Sequence, residues 1–291
     1  MADLAVVVVT WNALPWLEQC LDSVHGHSTI VVDNGSTDGT VAFVRERYPD
    51  VRVIEQDNRG MGGGNNTGML AADGRYFFLL NSDAWVLDDG LAKLVAFADA
   101  HPEAAIVGPR LLNTDGTLQR SVRGEPTLWR LATEYLFIRK LAPRSSRLNP
   151  LYVGGFGHDE VREADWLFGP ALLVRREAAD AVGLFDEEFF MFSEEVDWMT
   201  RFRRAGWTVL FFPGAEVVHV GGASHGGNLY VENLRGHLRF IDKHRGRKEA
   251  ERVRRLLLLS LRLRAALLRR EEYHEGVRFL RSGDARTLLE K

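Results

Sequence analysis

Four carboxylates and one imidazole, spread over two thirds of the chain, are the residues able to hold a cation and move a proton: Asp33, Asp83, Glu194, Glu195 and His219. Asp83 follows the apolar run Tyr76 to Leu80, where a carboxylate is costly unless it is paired or bound to a cation, and it suits a hard divalent ion. A helix N-cap near Asp88 is the plainer reading, but Asp88 and Asp89 serve that purpose better. His219 closes the run Ala215 to Val218. A strand-end histidine is commonly structural, yet beside an aspartate-bound ion it makes a neutral ligand. His225 reads as an ordinary surface residue. Glu194, Glu195 and Asp197 begin a helix after the aromatic run Phe189 to Phe192. Acids there complement the helix dipole, while the aromatic setting could desolvate one glutamate into a general base. Helical spacing puts Glu194 and Asp197 on one face and Glu195 on another.

Two loops complete the set. Asp33-Asn34-Gly35-Ser36-Thr37-Asp38-Gly39-Thr40 follows a buried strand and leads into a helix, a place where an acceptor can grip a base or ribose. It also has the composition of a plain turn. Asn58 to Asn66 is glycine-rich and opens a helix, a geometry that lets a diphosphate approach the backbone. The dinucleotide fingerprint G-x-G-x-x-G fails there because Asn65 takes the third glycine position, which removes most support for a nicotinamide oxidoreductase.

The elements that must carry these residues alternate. Strands are predicted at 4–10, 29–32, 51–55, 76–80, 105–107 and 208–212, with helices near 15–25, 40–48, 65–72, 89–100, 177–182 and 194–205. Such alternation specifies an α/β fold, a Rossmann-like, mainly parallel sheet flanked by helices. Residues 113–163 look irregular apart from one aromatic-rich helical piece at 128–141, and read as an acceptor-side insertion or lid. A catalytic domain at 1–227 is then followed by a basic helical region at 228–291.

The chain has 291 residues and a net charge of -3. The total hides an asymmetry: 17 basic against 9 acidic residues from Asn228 onward, and 20 against 31 before it. An acidic body argues against a nucleic-acid partner. The single cysteine, Cys20, excludes an internal disulfide, and with no basic leader and no long apolar span the expected location is cytoplasmic.

In order, T-W-N (Thr10 to Asn12), D-N-G-S-x-D (Asp33 to Asp38), N-x-G (Asn58 to Gly60), N-x-D (Asn81 to Asp83), V-G-x-F-D-E (Val182 to Glu187), E-E-V-D (Glu194 to Asp197) and H-x-x-G-x-S (His219 to Ser224) resemble a family 2 glycosyltransferase of the GT-A fold. Within it, the chain is similar to bacterial rhamnosyltransferase-like enzymes of cell-surface polysaccharide assembly. The resemblance implies inverting sugar transfer from a nucleoside diphosphate sugar, of dTDP or UDP type, to a saccharide or polyprenyl-linked acceptor, with Mg2+ or Mn2+. Thr10, Asn12, Asp33, Asn58, Gly60, Asn65 and Ser82 would bind the nucleotide. Asp83 and His219 would hold the metal, and Glu195 or Glu194 would be the base. Two departures stand out: Asn81 replaces the first aspartate of D-x-D, and Glu195 replaces an aspartate. The missing Q-x-x-R-W motif argues against a processive polymerase.

From Arg247 to Arg270, Leu256, Leu259, Leu263 and Leu267 form one helical stripe, with Arg255, Arg262 and Arg269 at heptad spacing away from it. This basic amphipathic helix could lie peripherally on the inner face of the cell membrane, or pack on the body or a second subunit of a homo-oligomer. A sugar-1-phosphate nucleotidyltransferase would show a basic glycine-rich loop where Thr10-Trp11-Asn12 stands, and a glycosidase would need a second placed acid. A non-catalytic nucleotide-sugar scaffold would have no use for Asp83 and Glu195.

Overall fold

Unbroken apolar runs become strands covered on both faces. The computed structural model describes residues 3–221 and 229–287. The chain opens with β1 (Leu4–Thr10), α1 (Leu14–Ser23), β2 (Ser28–Asp33), α2 (Thr40–Arg47), β3 (Arg52–Glu55), α3 (Gly60–Ala71) and β4 (Tyr76–Asn81). β1 is buried throughout its length, as a central parallel strand must be. β5 (Ala84–Val86), α4 (Gly90–Ala100) and β6 (Ala104–Leu112) follow, then β7 (Leu118–Gln119), β8 (Val122–Arg123) and α5 (Leu128–Tyr135). A 3-10 turn at Ile138–Lys140 precedes β9 (Arg162–Glu163), β10 (Trp166–Leu167), β11 (Ala171–Arg175), α6 (Arg176–Val182), α7 (Glu194–Arg204) and β12 (Thr208–His219). The C-terminal helices are α8 (Leu229–Arg245), α9 (Arg247–Leu268), α10 (Glu271–Arg281) and α11 (Gly283–Thr287).

The main sheet runs β3-β2-β1-β4-β11-β6-β12-β5. β1 to β4 pair in parallel, as do β6 and β12. β11 is antiparallel to both its neighbours, and β5 to β12. Alternation along β1 sends Val6 and Val8 toward the layer of α1 and α4, and Ala5 and Val7 toward that of α3 and α7. The expected mainly parallel α/β sheet is therefore present. Because β11 runs against both β4 and β6, the C-terminal ends of β1, β4 and β12 all open on one edge.

Three expectations need correcting. The glycine-rich stretch is not a loop: α3 already begins at Gly60. Its glycines bring this helix onto the sheet, for a Cβ at Gly68 would lie 2.2 Å from Val7 Cγ1. Gly68→Ala gains about 1 kcal/mol of helix propensity but costs about 1–3 kcal/mol in overpacking, so net destabilisation is expected. A lower urea midpoint checks it; a higher one would refute the close approach. Second, Thr208–His219 is one strand with a bulge between Phe212 and Glu216, rather than two strands. Third, the helix read at 128–141 ends at Tyr135.

The C-terminal helices share a core with the body, in which Leu131, Phe189 and Val196 meet Leu234, Leu238 and Leu257. α9 buries Val253, Leu257 and Leu261, not the expected stripe. Leu259, Leu263 and Leu267 instead point outward, 55%, 52% and 79% exposed. No helix among the described residues is long and apolar enough to cross a membrane.

Candidate active site

β4 stops at Asn81, and the chain turns through Ser82 and Asp83 into β5, which folds back on β12 so that Ala84 pairs with His219. Residues far apart in sequence thereby become neighbours. Asp83 Oδ1 lies 3.4 Å from His219 Nε2, and both side chains are buried. The Gly221 N–H donates to Asp83 Oδ2 at 3.2 Å. Burial alone would raise the Asp83 carboxyl, but His219 and the Gly221 N–H outweigh it and hold it below the usual range. The motif residues Gly222 and Ser224, like His225 and the 227/228 boundary, lie outside the described residues.

Gln119 sets the imidazole. Its Nε2 donates to Asn113 Oδ1 at 3.0 Å and to the His219 carbonyl at 3.3 Å, so Oε1 must face His219 Nδ1, 2.8 Å away. Nδ1 is then a donor, and Nε2 is the ring atom turned to Asp83: protonated, it lowers the Asp83 carboxyl, and unprotonated, it offers its lone pair to a cation. One carboxylate and one unprotonated ring nitrogen fit Mg2+ or Mn2+, with the remaining coordination left to water and substrate oxygens. Among the described residues no cluster of three or more His, Cys, Asp or Glu side chains could hold a metal. Gln119→Leu should weaken Mn2+ binding about 10- to 100-fold, read by Mn2+ electron paramagnetic resonance titration without donor. An unchanged Mn2+ affinity would exclude the positioning role. Sequence reasoning missed Gln119 because it lies in the aperiodic 113–163 segment, and only the structure brings it to His219.

The base candidates stand on the cavity wall. Phe192 and Ser193 both take left-handed backbone angles, φ 66° and 70°, and so turn the chain into α7. Glu194 is buried with Oε2 unpartnered, and burial together with the neighbouring Glu195 pushes its carboxyl well up. Glu195 lies against Gly169, its Oε2 also without a partner, and burial pushes its carboxyl up to about 7. Asp197 is spoken for. Burial would raise its carboxyl, but His244, Lys243 and Arg201 hold it down at about 2.

A cavity of about 300 Å³ gathers Thr10, Asn58, Gly60, Asn65, Ser82, Asp83, Glu194, Glu195 and His219 along one wall or another. Its apolar sides include Phe168, Met191 and Phe192. Asn12 and Asp33 do not line it. Asp33 Oδ2 accepts from the N–H groups of Gly35 and Ser36 at 3.1 and 2.9 Å, and Asn12 Oδ1 accepts from Thr37 at 2.8 Å. Both therefore shape the loop beside the cavity, while Asp33 Oδ1 and Thr10 Oγ1 remain buried without partners. Asn34, which was not singled out in the sequence, does line it, and its amide donates to the Gly60 carbonyl at 3.1 Å. Residues 113–163 contribute nothing to the lining; Gln119 reaches His219, and the Ser121 carbonyl accepts from the Phe168 N–H at 2.9 Å.

The model of glycosyl transferase family 2 matches residues 5–155. The chain belongs to this glycosyltransferase family. The glycosyltransferase is 32% identical to N-acetylglucosaminyl-diphospho-decaprenol L-rhamnosyltransferase of Mycobacterium tuberculosis, across 94% of this chain and 95% of the relative. Its fold is similar to that of S. aureus TarS 1-349 in complex with UDP-GlcNAc, with a TM-score of 0.58 at 17% identity over 99% of this chain and 81% of the other. The mannosyltransferase PcManGT from Pyrobaculum calidifontis, in complex with GDP-Man and Mn2+, gives 0.55 at 17% identity over 96% and 86%. These likenesses identify the glycosyltransferase fold as GT-A.

Proposed function

We propose that this glycosyltransferase is an inverting, divalent-metal-dependent enzyme. It moves a sugar, most simply rhamnose, from a dTDP- or UDP-linked donor to a polyprenyl-linked saccharide in cell-surface polysaccharide synthesis. One observation carries the reading: Glu195, its Oε2 without a partner and its carboxyl raised to about 7, shares a cavity with the Asp83–His219 pair. A base and a diphosphate-binding pair in one space of that size serve a single displacement. The relative from Mycobacterium tuberculosis is named for rhamnosyl transfer to a decaprenol-linked sugar, which supports the donor and acceptor classes.

Glu195 takes the proton from an acceptor hydroxyl as that oxygen attacks the anomeric carbon from the face opposite the diphosphate. The bond from that carbon to the diphosphate oxygen breaks, and its electron pair leaves with the phosphate. Asp83 and His219 would hold the divalent ion, which when bound neutralises charge on the leaving group. Thr10, Asn65 and Ser82 line the nucleotide side, while Phe168 and Phe192 exclude water that would otherwise compete with the acceptor. A single protein base suffices, unlike the paired acids of a glycosidase.

The test supplies dTDP-rhamnose or UDP-sugars, Mn2+ and a short polyprenyl-diphospho-N-acetylglucosamine acceptor, and reads the new linkage by NMR. An inverted anomeric centre is the expected product. A retained centre, or release of sugar phosphate in place of nucleoside diphosphate, would overturn the proposal.

A further inference from the structure

Several exposed apolar side chains lie away from the cavity walls, on α9 and the segment after α5. Leu259, Leu263 and Leu267 run along the outer face of α9, and Leu268 continues it at 51% exposure. At 100° per residue this stripe borders the side of α9 that carries Ser260 and Arg264. Those two residues hold α5: Ser260 Oγ donates to the Tyr135 carbonyl at 2.5 Å, and Arg264 Nη2 to the same oxygen at 2.8 Å. The Arg264 guanidinium also lies 4.1 Å from the Phe137 ring centroid. Exposed Phe137 therefore adjoins the leucine stripe, with exposed Leu141 four residues further along the same segment, and two elements distant in sequence build one apolar face.

Its surroundings are basic. Residues 252–270 contain seven arginines and no acid. Arg252, Arg262, Arg269 and Arg270 are exposed, and Lys140 and Arg144 stand exposed beside Leu141. The neighbouring acids are already engaged: Glu134 by Arg139, Glu251 by Arg254 and Arg255, Glu271 by Arg278, and Glu272 by Arg270.

We propose that this face docks the enzyme onto an anionic lipid bilayer, with Leu259, Leu263, Leu267, Phe137 and Leu141 entering the interface and the arginines meeting lipid phosphates. The charge argues for this occupant. A second copy would set the exposed Arg252, Arg262 and Arg269 against one another across a two-fold axis, whereas anionic headgroups complement all three. The placement agrees. α9 returns antiparallel to α8, so Leu261 sits level with Leu234 and Tyr230, against Gly276. α8 in turn packs on the Phe192–Ser193 turn that precedes Glu195. The apolar end of α9 thus lies beside the half of α8 that packs behind the Phe192–Ser193 turn on the cavity wall. The inference deepens the proposed acceptor class but rests on this surface alone.

Sedimentation of the full chain with vesicles, without donor or acceptor, tests it separately from transfer. Binding is expected to equimolar phosphatidylcholine–phosphatidylglycerol vesicles and to be weak on phosphatidylcholine alone. It should fall with rising salt as screening grows. The double variant Leu263→Glu/Leu267→Glu should lose at least about tenfold in partitioning, and Arg262→Glu/Arg269→Glu about as much. Leu70→Glu, at an equally exposed leucine elsewhere, should change nothing. Slow donor hydrolysis equal to the parent's shows that the variants are folded. No vesicle binding by the parent, equal binding by the leucine variant, or a dimer in light scattering that this variant dissolves would each overturn the proposal. Failure of transfer with intact vesicle binding would instead count against the acceptor reading.

Discussion

Glu195→Gln is expected to lower transfer by about a thousandfold while leaving nucleoside diphosphate affinity within about twofold. The substitution keeps the shape of the side chain against Gly169 and removes only its ability to accept a proton. It also removes a carboxylate that is buried without a hydrogen-bond partner on Oε2, so the fold should not suffer. The pH profile supplies the sign. Burial raises the Glu195 carboxyl to about 7, so the base is protonated and idle in acid and becomes competent as pH rises through that value. The parent's kcat/KM should therefore climb through pH 7, and the residual activity of Glu195→Gln should lose that limb. Comparable turnover in Glu195→Gln, with the loss found in Glu194→Gln instead, would transfer the role to Glu194.

The second large effect concerns Asp83. Asp83→Asn keeps the size of the side chain and can still accept from the Gly221 N–H, but it cannot supply the negative charge facing His219 Nε2. Divalent-ion dependence of nucleotide binding should collapse, with an affinity loss of about a hundredfold in the presence of Mn2+. Affinity measured without metal should change little. Calorimetric titration with and without Mn2+ reads both, and an unaltered Mn2+ effect would remove Asp83 from the ion's coordination.

The position of Asp83 was legible in the sequence because strand ends are legible, and that of Glu195 because it opens a helix after an aromatic run. An apolar run such as Tyr76 to Leu80 is a buried strand, and the acid beyond it is conspicuous. What joined Asp83 to His219 was not legible, since their contact depends on β5 folding back upon β12. The glycine run at 60–64 was misread for a physical reason: glycine disfavours helix locally, and packing against β1 decides otherwise. The runs 208–212 and 215–218 join into one strand because β12 absorbs Pro213 and Gly214 in a bulge. In α9 the leucines fall on two faces. Periodicity picks out the stripe from Leu256 to Leu267, but only tertiary contacts choose Val253, Leu257 and Leu261 for the core.

Gly236 of α8 sits where a Cβ would come within 2.7 Å of the Phe192 carbonyl oxygen, and Phe189 and Val196 belong to the same apolar core as the C-terminal helices. The turn that aims Glu195 is thus braced from behind by the very segment that looks, in sequence, like a dispensable appendage. Trimming that segment to make a shorter enzyme would release the support of the proposed base, so the proposed recruitment and the proposed chemistry cannot be tested apart by cutting the chain.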